Sequence, residues 1–294
     1  VTVYIGRPGS LVALRSPRKG LLAQVTRASR ARDTLGGGRT VDYAPRVLRT
    51  WQLNWSALTH EDQSTLMSFF AGHNGPGPWV LLDGAERNLL TVNQSSATSA
   101  FNDTSGFSAS GAGVTLASTA TTFDRGPRSL AWNIPTGVTS TLTVGAPNAS
   151  WPGIPVVAGQ AYRFQARVKG GGADGTVDLT PLIRWLDVAG ADLSVVNGTL
   201  VTTSTGAFSD LVVASTVAPA GAAYALPRVQ TTGASVTASA TVWIDKPMLS
   251  MPTARDPGTV WTAGLGVARV SIPNLDHQLQ WINSHGTSLT ILEV

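Results

Sequence analysis

The sequence predicts an all-β protein: a discontinuous β-rich domain with one short α-helix, plus an inserted jelly-roll β-sandwich. Three observations carry this. Only 13% of the 294 residues are charged and glutamate occurs just at Glu61, Glu86 and Glu293, so strong helix formers are scarce. β-Branched and turn residues are plentiful, with 31 glycines and 17 prolines to punctuate short strands. Finally, tryptophan-bearing strand patterns occur at both ends of the chain and give way to a different pattern in the middle.

The first 50 residues hold ten Lys and Arg against Asp33 and Asp42, a local charge of +8 within a net +4. Arg27, Arg30, Arg32 and Arg39 read as an assembly arm that contacts protein. No aromatic residues interleave with them for base stacking, which disfavours nucleic acid as the partner. Between residues 41 and 55, period two puts Trp51, Leu53 and Trp55 on one strand face. Thr59 then caps a helix, with Glu61 and Asp62 in the first turn where its dipole favours anions. Leu66, Phe69 and Phe70 form the expected inward stripe, and Gly72 the stop. Gly75, Pro76, Gly77 and Pro78 make a stiff loop before the apolar strand Trp79 to Leu82.

From about residue 92 the stretch VNQSSATSAFNDTSGFSASGAG reads as a linker into short strands. Segments such as AYRFQARVK, PLIRWLDV, ALPRVQ and ATVWIDKPMLS follow at regular spacing with Gly and Pro turns, the pattern of a sandwich. After residue 250, TVWTAGLGVARVSI and QLQWINSHGTSLTILEV return to tryptophan-bearing strands like those before residue 90. The expected domains are residues 1–96 with 251–294, and an insert of 97–250 whose two ends must lie close together.

Several classes are disfavoured. Without cysteine there is no disulfide or thiolate chemistry. The best apolar run, Leu211 to Leu226, contains Ser, Thr and Pro, so no membrane insertion is expected. The opening VTVYIGRPGS lacks the basic start and apolar middle of a signal peptide. HEDQS lacks the histidine spacing of a zinc protease, and INSHGTS has no nucleophile-elbow context. The Gly36 to Gly38 run lacks the Lys-Ser/Thr of a phosphate loop. Asp174, Asp178, Asp187 and Asp192 sit in Gly-rich turns and read as turn formers rather than a glycosidase pair. No catalytic residue is assigned, and the chain is read as not an enzyme.

Two resemblances add to this. RTWQLNWSALTHEDQSTLMSFFAGHNGPGPWVLLDGAERNLL resembles minor or distal tail proteins of long-tailed bacteriophages at Trp51, Trp55, Leu58, Phe69, Phe70, Gly75, Gly77, Trp79 and Asp83. VVAGQAYRFQARVK, IRWLDVAGADLS, APAGAAYALPRV and VWIDKPML are similar to jelly-roll carbohydrate-binding modules of xylanases and cellulases. The matching residues are Gly159, Gln160, Tyr162, Trp185, Asp187, Gly190, Ala218, Pro219, Gly221, Ala222, Ile244 and Asp245. This second resemblance implies a sandwich and a structural calcium at Asp245, with Asp103 or Asn102 contributing oxygen. No other cofactor is expected.

Strand phase selects the binding residues. Tyr162, Phe164, Ala166 and Val168 share one face, leaving Arg163, Gln165, Arg167 and Lys169 on the other. Ile183 and Trp185 match the inward set, so Arg184 points away, and Arg228 and Gln230 oppose Ala225 and Val229. The expectation is one polar face bearing Arg163, Gln165, Arg167, Arg184, Arg228 and Gln230, whose planar forks suit sugar hydroxyls or an acidic glycan. Trp151 in NASWPGIP is the expected stacking aromatic, while Trp132, Trp185 and Trp243 are assigned to the core. Together these readings describe a virion tail protein that assembles with copies of itself and other tail proteins and displays a module for decoration or host-glycan adhesion. The alternatives are a free carbohydrate-binding protein or a glycan-cleaving enzyme.

Overall fold

The structure is a computed structural model that describes residues 2–17, 22–33, 39–96, 104–145, 151–172, 176–281 and 284–294. Strands β1 (Val3–Arg7) and β2 (Ser10–Leu14) open the chain, and β3 (Leu22–Asp33) and β4 (Arg39–Leu58) follow as a long hairpin. The basic stretch expected as an arm is therefore strand. Arg32 and Arg39 are exposed towards the hairpin end, while the side chains of Arg27 and Arg30 lie outside the described residues. β4 has 20 residues, about 66 Å at the usual rise. Its inward face buries Trp51, Leu53 and Trp55, and the Trp55 Nε1 donates to the Arg15 carbonyl at 2.7 Å.

Helix α1 (His60–Phe70) begins where the Thr59 hydroxyl accepts from the Asp62 amide at 3.1 Å, and Gly72 at φ +76° follows its C-terminal end. Its buried stripe is Gln63, Leu66 and Phe69, not the expected Leu66, Phe69 and Phe70. Phe70 lies about 100° round the axis from Phe69 and is 43% exposed. Gln63 takes the inward place because its Oε1 accepts from the Thr287 hydroxyl at 2.6 Å. Phe69 meets Trp79 edge-on at the start of β5 (Trp79–Asp83).

The chain next forms α2 (Val92–Ser95), a single turn closed by a capping box between Thr91 and Gln94, in the stretch expected as linker. Among the described residues twelve strands follow: β6 (Phe107–Ser110), β7 (Thr115–Thr119), β8 (Ser129–Ile134), β9 (Ser140–Val144), β10 (Ile154–Pro155), β11 (Ala161–Gly172), β12 (Asp178–Leu186), β13 (Asp192–Asn197), β14 (Val201–Thr202), β15 (Ser209–Val217), β16 (Tyr224–Thr231) and β17 (Ala240–Ser250). They form a β-sandwich. The first sheet runs β13-β12-β16-β9-β6, with β10 on β16 and β14 on β12; the second runs β15-β11-β17-β8-β7. Tyr162, Phe164 and Val168 of β11 face inward, as do Ile183 and Trp185 of β12, all fully buried. The Tyr162 and Trp185 rings meet between the sheets at 5.8 Å.

Strands β18 (Ala268–Trp281) and β19 (Ser284–Glu293) complete a seven-stranded sheet with the N-terminal elements, in the order β2-β1-β5-β18-β19-β4-β3. β18 pairs antiparallel with β5, Ala268 opposite Leu81, so the chain leaves and re-enters this sheet on adjacent strands. Arg49 and Glu293 lock β4 to the last strand through two side-chain hydrogen bonds of 3.0 and 3.1 Å, both groups nearly buried, with Arg49 5.2 Å from the Trp51 ring. β19 reaches β4 only over Thr50–Leu58, so towards the hairpin end β3 and β4 pair with each other alone among the described residues.

By contacts the chain divides into a scaffold unit (Val1–Arg7, Val12–Asp83, Ala268–Val294) and a sandwich unit (Pro8–Leu11, Gly84–Val267). The expected junctions at 96/97 and 250/251 fall inside the sandwich unit. Asn88 explains this placement. Fully buried, it donates to the carbonyls of Pro247 and Thr262 and accepts from the amides of Leu90 and Leu249, so every hydrogen-bonding site of its donor pair and its oxygen is in use.

Candidate functional site

The six polar residues expected on one face belong to two. Arg163, Gln165 and Arg167 lie on β11 in the second sheet, whereas Arg184, Arg228 and Gln230 lie on β12 and β16 in the first. Both groups point away from the shared core, so they occupy opposite outer faces of the sandwich. Alternation correctly separates inward from outward positions, but it carries no information about which sheet a strand joins.

On the second sheet the outward side of β11 is largely self-satisfied. Arg163 Nε donates to Gln165 Oε1 at 3.3 Å, and Gln165 Nε2 donates to the Thr259 carbonyl at 3.1 Å. Arg167 donates to Asp210 Oδ1 at 2.9 Å and to the Phe208 carbonyl at 2.7 Å, with Asp124 a further 3.5 Å partner. Lys246 pairs with the same Asp124 carboxylate. Gln165, Arg167, Asp210, Asp124 and Lys246 line a cleft of about 390 Å³ together with Arg125, Thr259, Val260 and Trp261.

Two aromatics of this face are not found by sequence reasoning. Trp243, expected in the core, sits between the fully buried Val242 and Ile244 and so points outward. Its ring lies over Gly171, where an added Cβ would be only 2.2 Å from the indole. Glycine is what leaves room for the ring there. Trp261 is brought to the cleft by residues 251–267, which Asn88 and the Ser95 hydroxyl tie to the sandwich through Thr262 and the Gly264 amide at 2.8 and 3.0 Å. The Trp261 Nε1 is buried without an acceptor. The glycine spacing and the Asn88 amide are both visible in the sequence, but neither signals a ring position without the pairing.

Asp245 does not fit a calcium ion. Its carboxylate accepts from the amides of Asp124 (2.8 Å), Arg125 (3.0 Å) and Lys246 (2.7 Å), which approach as donors. Lys246, in the left-handed region at φ +51°, places its ammonium on Asp124, and Arg167 adds a second cation. Calcium needs six to eight oxygens, and this corner already holds two positive side chains. Asp103 lies outside the described residues. Burial pushes the Asp245 carboxyl above the ordinary carboxylate value, and the three amide donors oppose that rise.

On the first sheet Arg184 pairs with Asp192, and Gln230 Nε2 donates to the Thr141 hydroxyl at 3.3 Å. The Arg228 Nε is buried without an acceptor. Trp151 is partly buried against Leu186, Ala223, Tyr224 and Leu226, so it packs on an apolar cluster instead of standing free as expected. The carboxylates considered for glycoside cleavage hold turns and pairs: Asp187 accepts from the amides of Ala189 and Ala191, and Asp178 from the Thr202 hydroxyl. Asp174 lies outside the described residues.

No protein-family model and no curated protein matches the chain. Solved structures similar to it include the CBM22-1 xylan-binding domain of Paenibacillus barcinonensis Xyn10C, at 15% identity over 58% of this chain and 97% of that one, with a TM-score of 0.41. TmCBM61, solved with β-1,4-galactotriose, has 16% identity over 56% of this chain and 98% of its own, with a TM-score of 0.37. The MgGH51 α-L-arabinofuranosidase has 17% identity over 63% of this chain and 30% of its own, with a TM-score of 0.45.

Proposed function

We propose that the protein binds a glycan on the outer face of the second sandwich sheet. The carrying observation is a concave cleft that places Trp261 beside the Arg167–Asp210 pair, with Trp243 turned outward on the same sheet. Indole faces accept the C–H face of a sugar ring, and a fixed guanidinium–carboxylate pair offers both donors and acceptors to hydroxyls. The network that holds Arg167 also preorganises it, which lowers the ordering cost of binding. Binding rather than cleavage is favoured because Asp178, Asp187 and Asp192 are each engaged in a turn or a pair. Calorimetric titration of the full chain with neutral oligosaccharides tests the site. Trp261→Ala and Trp243→Ala are each expected to weaken binding at least tenfold, and undiminished binding by both removes the face.

A second reading concerns the scaffold, which we infer assembles with copies of itself as a ring or tube subunit of a bacteriophage tail. The observation that favours it is the β3–β4 ribbon. On the hairpin-end side of Thr50 it has no other strand partner among the described residues, and it exposes Val25, Val41 and Leu48 by 52, 41 and 44%. A two-stranded ribbon is marginal in water by itself, so one with an apolar surface gains from a neighbouring copy. Copies in a ring would multiply weak glycan contacts into avidity.

A further inference from the structure

We propose that Arg184 and Arg228 form a second ligand site, on the first sandwich sheet, for the carboxylate of an acidic sugar. The strand register sets the pair. Arg184 lies opposite Leu226 and Arg228 opposite Leu182, so the two guanidinium groups are diagonal neighbours on one outer face. They share one carboxylate between them: Asp192 pairs with Arg184, and the structure gives Arg228 no ion pair among the described residues. The Arg228 Nε is moreover buried with no acceptor.

A buried donor on a cation is unfavourable unless something accepts from it. Two like charges side by side add to that cost, and burial and the neighbouring Arg184 pull the Arg228 guanidinium below its usual value. An incoming carboxylate offsets the paired positive charge, and its two oxygens match the fork of a guanidinium's terminal nitrogens; the enclosed Nε is not itself the contact. Leu182 and Leu226 lie between the arginines, and Val195, opposite Arg184, is 51% exposed. The two leucines are buried, so the apolar surface open to a ring bearing that carboxylate is Val195. This site is distinct from the Trp243 and Trp261 face and does not depend on it.

The test is thermal unfolding of the full chain with a galacturonic acid trisaccharide, with the neutral galactose trisaccharide and with sodium sulfate. The acidic sugar is expected to raise the midpoint above the neutral baseline and to lose that increment as ionic strength rises. Arg228→Met is expected to weaken acidic-sugar binding at least tenfold, and Arg228→Lys, which keeps the charge without the fork, to fall between. Trp261→Ala is expected to leave the acidic increment unchanged, which separates failure here from failure of the neutral-glycan face. The proposal is overturned by an equal increment in Arg228→Met, by no increment in the wild type, or by sulfate reproducing the whole of it.

Discussion

The two outer faces of the sandwich carry the same kinds of residue and treat them differently. On the second sheet, Arg167 is shared among Asp210, Asp124 and a backbone carbonyl, so its charge belongs to a finished network. On the first, Arg228 stands next to another arginine with its Nε buried and unanswered. Residue type therefore does not decide what an arginine does on a sheet. The decisive quantity is the count of carboxylates and carbonyls that the fold brings to it, and that count is set by pairing between distant segments.

The largest effect is expected at Asn88. Its side chain makes four hydrogen bonds in a buried site and fixes the segment that carries Trp261. Asn88→Leu leaves two carbonyls and two amides to find other partners. At about 1–3 kcal/mol per buried unsatisfied group, partly relieved by relaxation, a loss of about 3 kcal/mol is expected. Chemical denaturation measures it, and the Trp261 face should be lost with it. A cost below about 1 kcal/mol would mean that Asn88 does not hold the cleft together.

A smaller effect has opposite signs on the two sheets. Arg167→Met leaves Asp210 without its cation and Asp124 with Lys246 alone; since the arginine side chain is 29% exposed and Asp210 is 72% exposed, water screens part of the loss, and about 1 kcal/mol of destabilisation is expected. Arg228→Met removes a half-buried cation that has no ion-pair partner among the described residues, so the same replacement is expected to stabilise the free protein by about 1 kcal/mol. Paired denaturation curves decide the matter. Equal signs at both positions would show that the two faces do not differ as described.

Much of this architecture can be read in the residues, and the unread part has a common cause. Alternation in AYRFQARVK places Tyr162, Phe164 and Val168 inward, and Thr59 with Asp62 marks the helix start; both rest on contacts within a few residues. The Thr91 and Gln94 capping box is equally local and is open to the same reading. What is not local stays hidden. The assignment of β11 to one sheet and of β12 and β16 to the other depends on register across the fold. The outward direction of Trp243 follows from local alternation with Val242 and Ile244, but the Gly171 that makes room for its ring is supplied by the pairing of β17 with β11. Trp261 reaches the cleft only because Asn88, far away in sequence, bonds Thr262.

The smallest effect is expected from the titration of Asp245, in the corner beside Asp124 and Arg167. Burial raises this carboxyl above its ordinary value, and the three backbone donors only partly counter the rise. The sign follows directly. A raised folded-state value means that the folded protein binds its proton more readily than the unfolded chain does, so this group favours the fold as pH falls through the raised value and disfavours it above. Protonation of Asp245 therefore does not by itself drive acid unfolding. Carbon-detected NMR titration is expected to place the Asp245 midpoint above those of the exposed aspartates. A midpoint at or below theirs would mean that the amides of Asp124, Arg125 and Lys246 outweigh burial, and that this corner is a stronger anion cradle than its enclosure implies.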